Sequence, residues 1–187
     1  MSRAGYVLVG GRSSRMGRDK AFLPFRGDAL GAWVARAVAR AAGHAVLVGD
    51  PKLYSALGFP VIPDLYAGEG PLGGILTALA DTTAEWNLVT ACDMPGIAPG
   101  FLGRLFETAR NGGADAVVPI GPSGRLEPLC AVYHRRSLWA LEAAFARGVR
   151  KIAEGLEDLR TVLLPATEVS PFQNVNTPSE WLAYAPG

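Results

Sequence analysis

The apolar positions of this chain follow two alternating periods. Residues 6–9, Tyr-Val-Leu-Val, form a short apolar run that stops at Gly10-Gly11, the pattern of a buried strand. From Leu30 the spacing changes. Leu30, Trp33, Val34, Ala37, Val38 and Ala41 share one helix face, Arg36 and Arg40 lie on the other side, and Gly43 supplies a stop. Residues 45–48 return to a strand pattern, a short helix is predicted around residues 52–57, and residues 59–62 form a third strand ended by Pro63. Pro71 suits the first turn of a helix, where a missing N–H costs nothing, and that helix runs to about Leu79. Residues 88–91 read as a strand ending at Cys92-Asp93, and Phe101, Leu102, Leu105, Phe106 and Ala109 give a further amphipathic helix. Strands over residues 115–118 and 126–133 follow, joined through Gly121-Pro122-Ser123-Gly124. A helix over residues 136–146 carries Leu138, Leu141 and Phe145 inward, residues 161–164 form a late strand, and Pro178 starts a final helix.

Strands and helices alternating at this spacing imply an α/β fold with a mostly parallel sheet covered on both faces. Ligands of such sheets sit beyond the carboxyl ends of the strands. Gly10-Gly11, Asp64 and Asp93 all fall there. The 187 residues suffice for one well-buried domain, 1–187, and two would be cramped. A formal net charge of +1 argues against broad nucleic-acid or membrane-surface binding, which needs a basic excess. Cys92 and Cys130 form neither a disulfide framework nor a zinc-site spacing, which suits a reducing cytoplasm. The apolar runs fall far short of a membrane span, and no signal-type leader precedes the first strand. A soluble cytoplasmic protein is expected.

Residues 10–20, Gly-Gly-Arg-Ser-Ser-Arg-Met-Gly-Arg-Asp-Lys, crowd glycines and cationic side chains into one loop. Glycines let a backbone approach an anion and turn its N–H groups inward, and arginine and lysine neutralise phosphate oxygens. The chemistry suits a triphosphate. It is not a Walker A loop, because Gly17 is followed by Arg18-Asp19-Lys20, and it lacks the dinucleotide G-x-G-x-x-G spacing. Standing alone, such a loop could equally be a solvated connector. Asp93, in Ala91-Cys92-Asp93-Met94-Pro95, is placed either to hold a hard cation such as Mg²⁺ or to cap and shape a turn. Asp64, in Ile62-Pro63-Asp64, carries the same two readings. The stretch 68–74, Gly-Glu-Gly-Pro-Leu-Gly-Gly, is a second glycine-rich approach; Gly73 and Gly74 serve either ligand contact or close helix–sheet packing.

Taken together, these stretches resemble the molybdenum cofactor guanylyltransferase family. That family carries L-A-G-G-x-S-x-R-M-G-x-D-K, G-P-L-x-G, C-D-x-P and N-V-N-T-P, and residues 8–20, 70–74, 92–95 and 174–178 repeat them in order. The first motif is common to many nucleotidyltransferases; the last is more particular to the molybdopterin branch. The resemblance implies a single Rossmann-like three-layer α/β/α domain. It also implies an enzyme that joins GMP from GTP to molybdopterin, or its molybdenum-loaded form, releasing pyrophosphate. By motif position, Leu8, Val9 and Gly10 would line the guanine and ribose, with Gly11 beside the phosphates that Arg15 and Lys20 meet. Asp64 would contact the nucleotide, Asp93 both nucleotide and Mg²⁺, and Asn174 and Asn176 the pterin acceptor. Other proteins of molybdenum cofactor biosynthesis would be transient partners. A cytidylyl- or sugar-nucleotidyltransferase and a non-catalytic nucleotide-binding module are the alternatives.

Two residues depart from the pattern: Val9 replaces the usual alanine, and Gly49 the usual asparagine after the second strand, so that one nucleotide contact is either absent or supplied by Asp50. The remaining polar residues invite plainer readings. His44 is expected to cap or lie at the surface, and His134 to be structural. Arg125 and Glu127 divide between acceptor binding and an ion pair. Arg135-Arg136 reads as a solvated helix start, and Trp33, Trp86, Trp139 and Trp181 as packing residues.

Overall fold

The computed structural model describes residues 1–10 and 19–166. Within them lie nine strands and six α-helices. In chain order these are β1 (Arg3–Leu8), β2 (Pro24–Phe25), β3 (Asp28–Ala29), α1 (Leu30–Ala42), β4 (Val46–Val48), α2 (Pro51–Tyr54), β5 (Val61–Ile62) and α3 (Pro71–Asp81). There follow β6 (Trp86–Ala91), α4 (Pro99–Ala109), β7 (Ala116–Ile120), β8 (Cys130–His134), α5 (Ser137–Ala146), α6 (Ile152–Gly155) and β9 (Thr161–Pro165). The helix start expected at Pro178 lies outside the described residues.

Seven strands form one sheet in the order β5-β4-β1-β6-β8-β7-β9. Strands β5, β4, β1 and β6 are parallel, β8 runs against both its neighbours, and β9 is parallel to β7. The α/β class with a mostly parallel sheet is therefore as the periodicity implies. One face is covered by α1 and α4, whose Val34, Val38, Leu102 and Phe106 are fully buried against Val7 and Leu88. The other is covered by α3 and α5, where Leu72, Ile75, Leu76 and Leu141 meet Tyr6, Val89 and Val118. Each such side chain, fully buried, contributes about 1.5–3 kcal/mol.

The register aligns the strand ends. Leu8 faces Val48 on one side and Ala91 on the other, and Val48 faces Ile62, so four parallel strands finish in one row. Chain order reverses between β4-β1 and β6, which opens a crevice beyond that row.

Some boundaries move. The strand expected at residues 126–133 begins only at Cys130, because the chain before it turns away after an isolated bridge between Leu126 and Ile120. Trp139, expected to pack, is 78% exposed on the outer face of α5. Arg136 is an exposed helix start, as expected, and it does more than meet solvent: it pairs with Asp115 at 2.5 Å and donates to the carbonyls of Gly113 and Ala114.

Candidate active site

Beyond the aligned strand ends lies a cavity of about 870 Å³. Its walls come from the end of β1 and the residues after it (Leu8, Val9, Gly10), the segment after β4 (Gly49, Asp50), Asp64 after β5, Gly70 before α3 with Pro71 and Gly74 in it, and Asp93 after β6. Lys20 and Asp19 close it from the end of the first loop. Leu8, Val9, Gly10, Lys20, Asp64 and Asp93, separated by up to 85 positions in sequence, thus share one space. Gly11, Arg15, Asn174 and Asn176 lie outside the described residues. A smaller hollow of about 280 Å³ sits at the opposite edge of the sheet, near Met1, Glu85 and His134, away from every motif.

Lys20 and Asp93 form the polar centre of the cavity. Lys20 Nζ donates to Asp93 Oδ2 at 2.9 Å, with each side chain 17% exposed. Asp93 Oδ1 is buried and has no hydrogen-bond partner among the described residues. An ionised oxygen with nothing to accept from is costly inside a protein. Such an atom suits a cation or a ligand donor. Among the described residues no group of three or more His, Cys, Asp and Glu gathers into a metal cage. A lone carboxylate fits Mg²⁺, which keeps its waters and takes phosphate oxygens as further ligands.

Asp64 is held differently. Its Oδ1 accepts from the Tyr66 N–H at 3.0 Å and from the buried Thr77 hydroxyl at 2.9 Å, while the Thr77 oxygen accepts from the Leu65 N–H. The Asx turn fixes the carboxylate as a shaped part of the cavity wall, which is the turn-shaping reading of Asp64. Sequence alone did not reveal Thr77, because it sits on the α3 face that otherwise reads as core.

Helix α3 points its N-terminus at the cavity. Gly70 caps it with φ 89° and ψ 177°, a conformation reserved for glycine, and Pro71 follows as the first helical residue. The Gly73 N–H donates to the Gly70 carbonyl at 3.1 Å, and among the described residues no side chain caps the helix start, so the N–H groups left over are available to an anion. Gly74 lets the helix lie against β1, since a Cβ there would stand 2.8 Å from Leu8 Cδ1; for Gly73 the obstacle is Tyr66 Cβ at 2.6 Å. Packing thus accounts for both glycines. Arg150 stacks 3.8 Å over the Phe145 ring and pairs with Glu69 at 2.7 Å, tying the loop before α3 to α5.

The two departures from the family pattern touch one another. A Cβ on Gly49 would lie 2.9 Å from Val9 Cγ2 and 2.7 Å from Tyr54 Cδ2, so Val9 and Tyr54 fill the volume an asparagine would need. Asp50 spends one oxygen capping α2 through the Lys52 N–H at 2.9 Å, yet its side chain borders the cavity.

Asp19 is the residue that motif reading passed over. Its Oδ1 accepts from the Ala21 N–H at 3.0 Å, capping a single 3-10 turn at Lys20–Phe22, and its Oδ2 accepts from the Tyr54 hydroxyl at 2.7 Å. The signal was present as an aspartate directly before a short turn around the buried Ala21. Cys92 and Cys130 are free and buried, and burial pushes both thiols up, so neither is a nucleophile. Glu127 is nearly buried beside Arg125 at 3.5 Å; burial raises its carboxyl above the usual range and Arg125 only partly offsets that.

Known proteins share this architecture and more. A protein of Pelotomaculum thermopropionicum named "Probable molybdenum cofactor guanylyltransferase" is 35% identical over 191 residues, covering 96% of this chain and 90% of that one. The crystal structure of molybdopterin-guanine dinucleotide biosynthesis protein A from Archaeoglobus fulgidus superposes with a TM-score of 0.82 at 32% identity, covering 97% and 96% of the two chains. The fold alone is shared with Rv0371c of Mycobacterium tuberculosis in its complex with manganese, at TM-score 0.70, 18% identity and 98% coverage of both. Residues 5–161 match the sequence profile of the MobA-like NTP transferase domain, and the chain belongs to that family of nucleotidyltransferases.

Proposed function

We propose that the chain transfers GMP from GTP to molybdopterin, releasing pyrophosphate and forming the guanine dinucleotide of the cofactor. The observation that carries this reading is the Lys20–Asp93 pair in a cavity large enough for a nucleotide, with the second Asp93 oxygen buried and unsatisfied. The names borne by the relatives at 32–35% identity supply the acceptor and the base.

In this reading the acceptor phosphate attacks the α-phosphorus of GTP in line and pyrophosphate departs. The acceptor is already ionised at neutral pH, so no general base is required. Catalysis then rests on positioning and on neutralising charge that develops toward the leaving group. Lys20 stabilises that charge, joined by Arg15. The open N-terminus of α3 and the backbone at Gly10 and Gly11 receive phosphate or ribose oxygens. Leu8 and Val9 flank the guanine, Asp64 holds the nucleotide, and Asn174 and Asn176 face the pterin. Asp93 would hold a divalent cation, Mg²⁺ by preference. When bound, that ion supplies Lewis-acid neutralisation of phosphate oxygens.

The whole of residues 1–187 is proposed as one domain. Among the described residues no helix is long and apolar enough to cross a membrane. The cytoplasm, where GTP and reduced thiols coexist, is the proposed compartment, and proteins that deliver and collect the pterin are the proposed transient partners.

The test is acceptor-dependent pyrophosphate release, comparing GTP with CTP and molybdopterin with a sugar phosphate, each with Mg²⁺ present and removed by chelation. Release is expected only with GTP, molybdopterin and the metal together. Faster release with CTP, or with a sugar phosphate, would move the enzyme to another branch. Nucleotide binding without release under every condition would make it a binding module.

A further inference from the structure

We propose that Tyr54 is a positioning residue for Lys20, acting through Asp19, and that Gly49 and Val9 are the residues that seat it. The proposal rests on the reading of Lys20 as the group that stabilises the departing pyrophosphate.

Tyr54 is only 5% exposed, yet it borders the nucleotide cavity. Its ring stacks at 10° on Phe22, the last residue of the 3-10 turn that Lys20 begins, with centroids 5.8 Å apart. Its hydroxyl reaches Asp19 at 2.7 Å, a short bond to a charged acceptor. Burial, and then the neighbouring Asp19 carboxylate, hold the phenol protonated, so it can only be the donor here. Asp19 therefore spends one oxygen on the turn that carries Lys20 and the other on Tyr54. The side chain of Lys20 leaves from that turn to meet Asp93.

Tyr54 grips the turn at both ends, ring on Phe22 and hydroxyl on Asp19. It can do so because position 49 lacks a side chain: a Cβ there would stand 2.7 and 2.8 Å from two ring carbons of Tyr54. Gly49 needs no left-handed backbone, since its φ lies outside that region, so close approach is the one demand that selects glycine here. Val9, just after β1, closes the same contact. Position 49 thus carries no side chain and instead makes room for a brace on the turn that holds Lys20.

The experiment compares wild type with Tyr54→Phe and Gly49→Ala. The first removes the hydroxyl and keeps the ring; the second keeps the hydroxyl and displaces the ring. Both should lower kcat about tenfold and leave KM for GTP within about twofold, because a shifted ammonium costs charge stabilisation in the transition state more than ground-state binding. Tyr54→Phe added to Asp19→Ala should cost nothing further, since the hydroxyl then has no partner to act through. Labelling of amines with acetic anhydride, read by peptide mass spectrometry, gives a second readout that needs no turnover. Lys20 should label severalfold faster in both variants than in wild type, with exposed Lys52 and Lys151 as internal references. Unchanged Lys20 labelling, or a full Tyr54→Phe effect in the Asp19→Ala background, would overturn the brace. Absence of turnover in wild type would instead overturn the guanylyltransferase reading, and the labelling would still decide the role of Tyr54.

Discussion

The Asp93 carboxylate has two oxygens in unlike settings: one on Lys20 at 2.9 Å, the other buried without a partner. A turn-shaping aspartate would spend its oxygens on backbone N–H groups, as Asp64 and Asp50 do. Asp93 spends neither there. The proposed reading is that a bound ligand offsets this cost, and the distinction is measurable. Asp93→Asn, which keeps the shape and removes the charge, should lower turnover roughly 100-fold or more, in the range seen when a preorganised charge is lost from an active site. Lys20→Ala should fall in the same range. Near-normal pyrophosphate release from Asp93→Asn at saturating GTP and Mg²⁺ would return this residue to a structural role.

At the level of elements, the strands and helices that build the cavity were legible because each has a clean period: the buried run of β1, the α1 stripe from Leu30 to Ala41, and the Pro71 start of α3. What was not legible depends on contacts between distant residues. The β2–β3 hairpin is two residues a side around Arg26 and Gly27, too short for any period, although Phe25 is 1% exposed. The Tyr54–Asp19 bond joins residues 35 apart with no spacing rule. The Gly49 and Val9 departures looked independent in sequence and are one contact in space. Helix α3 shows how an element can be half readable: the proline marks its start, but its direction toward the cavity depends on Gly70. Gly70→Ala should destabilise the fold by about 1–3 kcal/mol, because alanine at that φ and ψ is strained. If the loop yields instead, the helix N-terminus retreats and KM for GTP rises severalfold with kcat less affected. Denaturant unfolding and steady-state kinetics on one preparation separate the two outcomes. Unchanged stability together with unchanged KM would mean that the N-terminus of α3 takes no part in nucleotide binding.

Across the whole molecule, the strand edge opposite the cavity is devoted to stability. Asp115 lies just before β7, where it gathers Arg136 from the start of α5 and Arg160 from just before β9, at 2.5 and 3.2 Å. It also accepts the Arg160 backbone N–H at 3.0 Å. One carboxylate thereby joins three elements of the antiparallel side of the sheet, far from the nucleotide motifs. Burial alone would raise its carboxyl, but the hydrogen bonds from Arg160 and Arg136 outweigh it and lower the group from 3.8 to about 2. A carboxyl depressed in the folded state contributes stability that is fully present above its unfolded value. That contribution is lost as pH falls through the folded one. The window for Asp115 is therefore about pH 4 down to pH 2. Asp115→Asn should be less stable than wild type by about 2 kcal/mol at pH 7, the scale of hydrogen bonds to charged groups. The gap should narrow steadily below pH 4 as the wild-type carboxyl takes up its proton. Turnover at pH 7 and moderate temperature should stay close to wild type, because neither arginine reaches the cavity. Urea unfolding of the two proteins at a series of pH values gives the comparison directly. A gap that stays constant down to pH 2 would assign the loss to altered packing, not to the charge of Asp115.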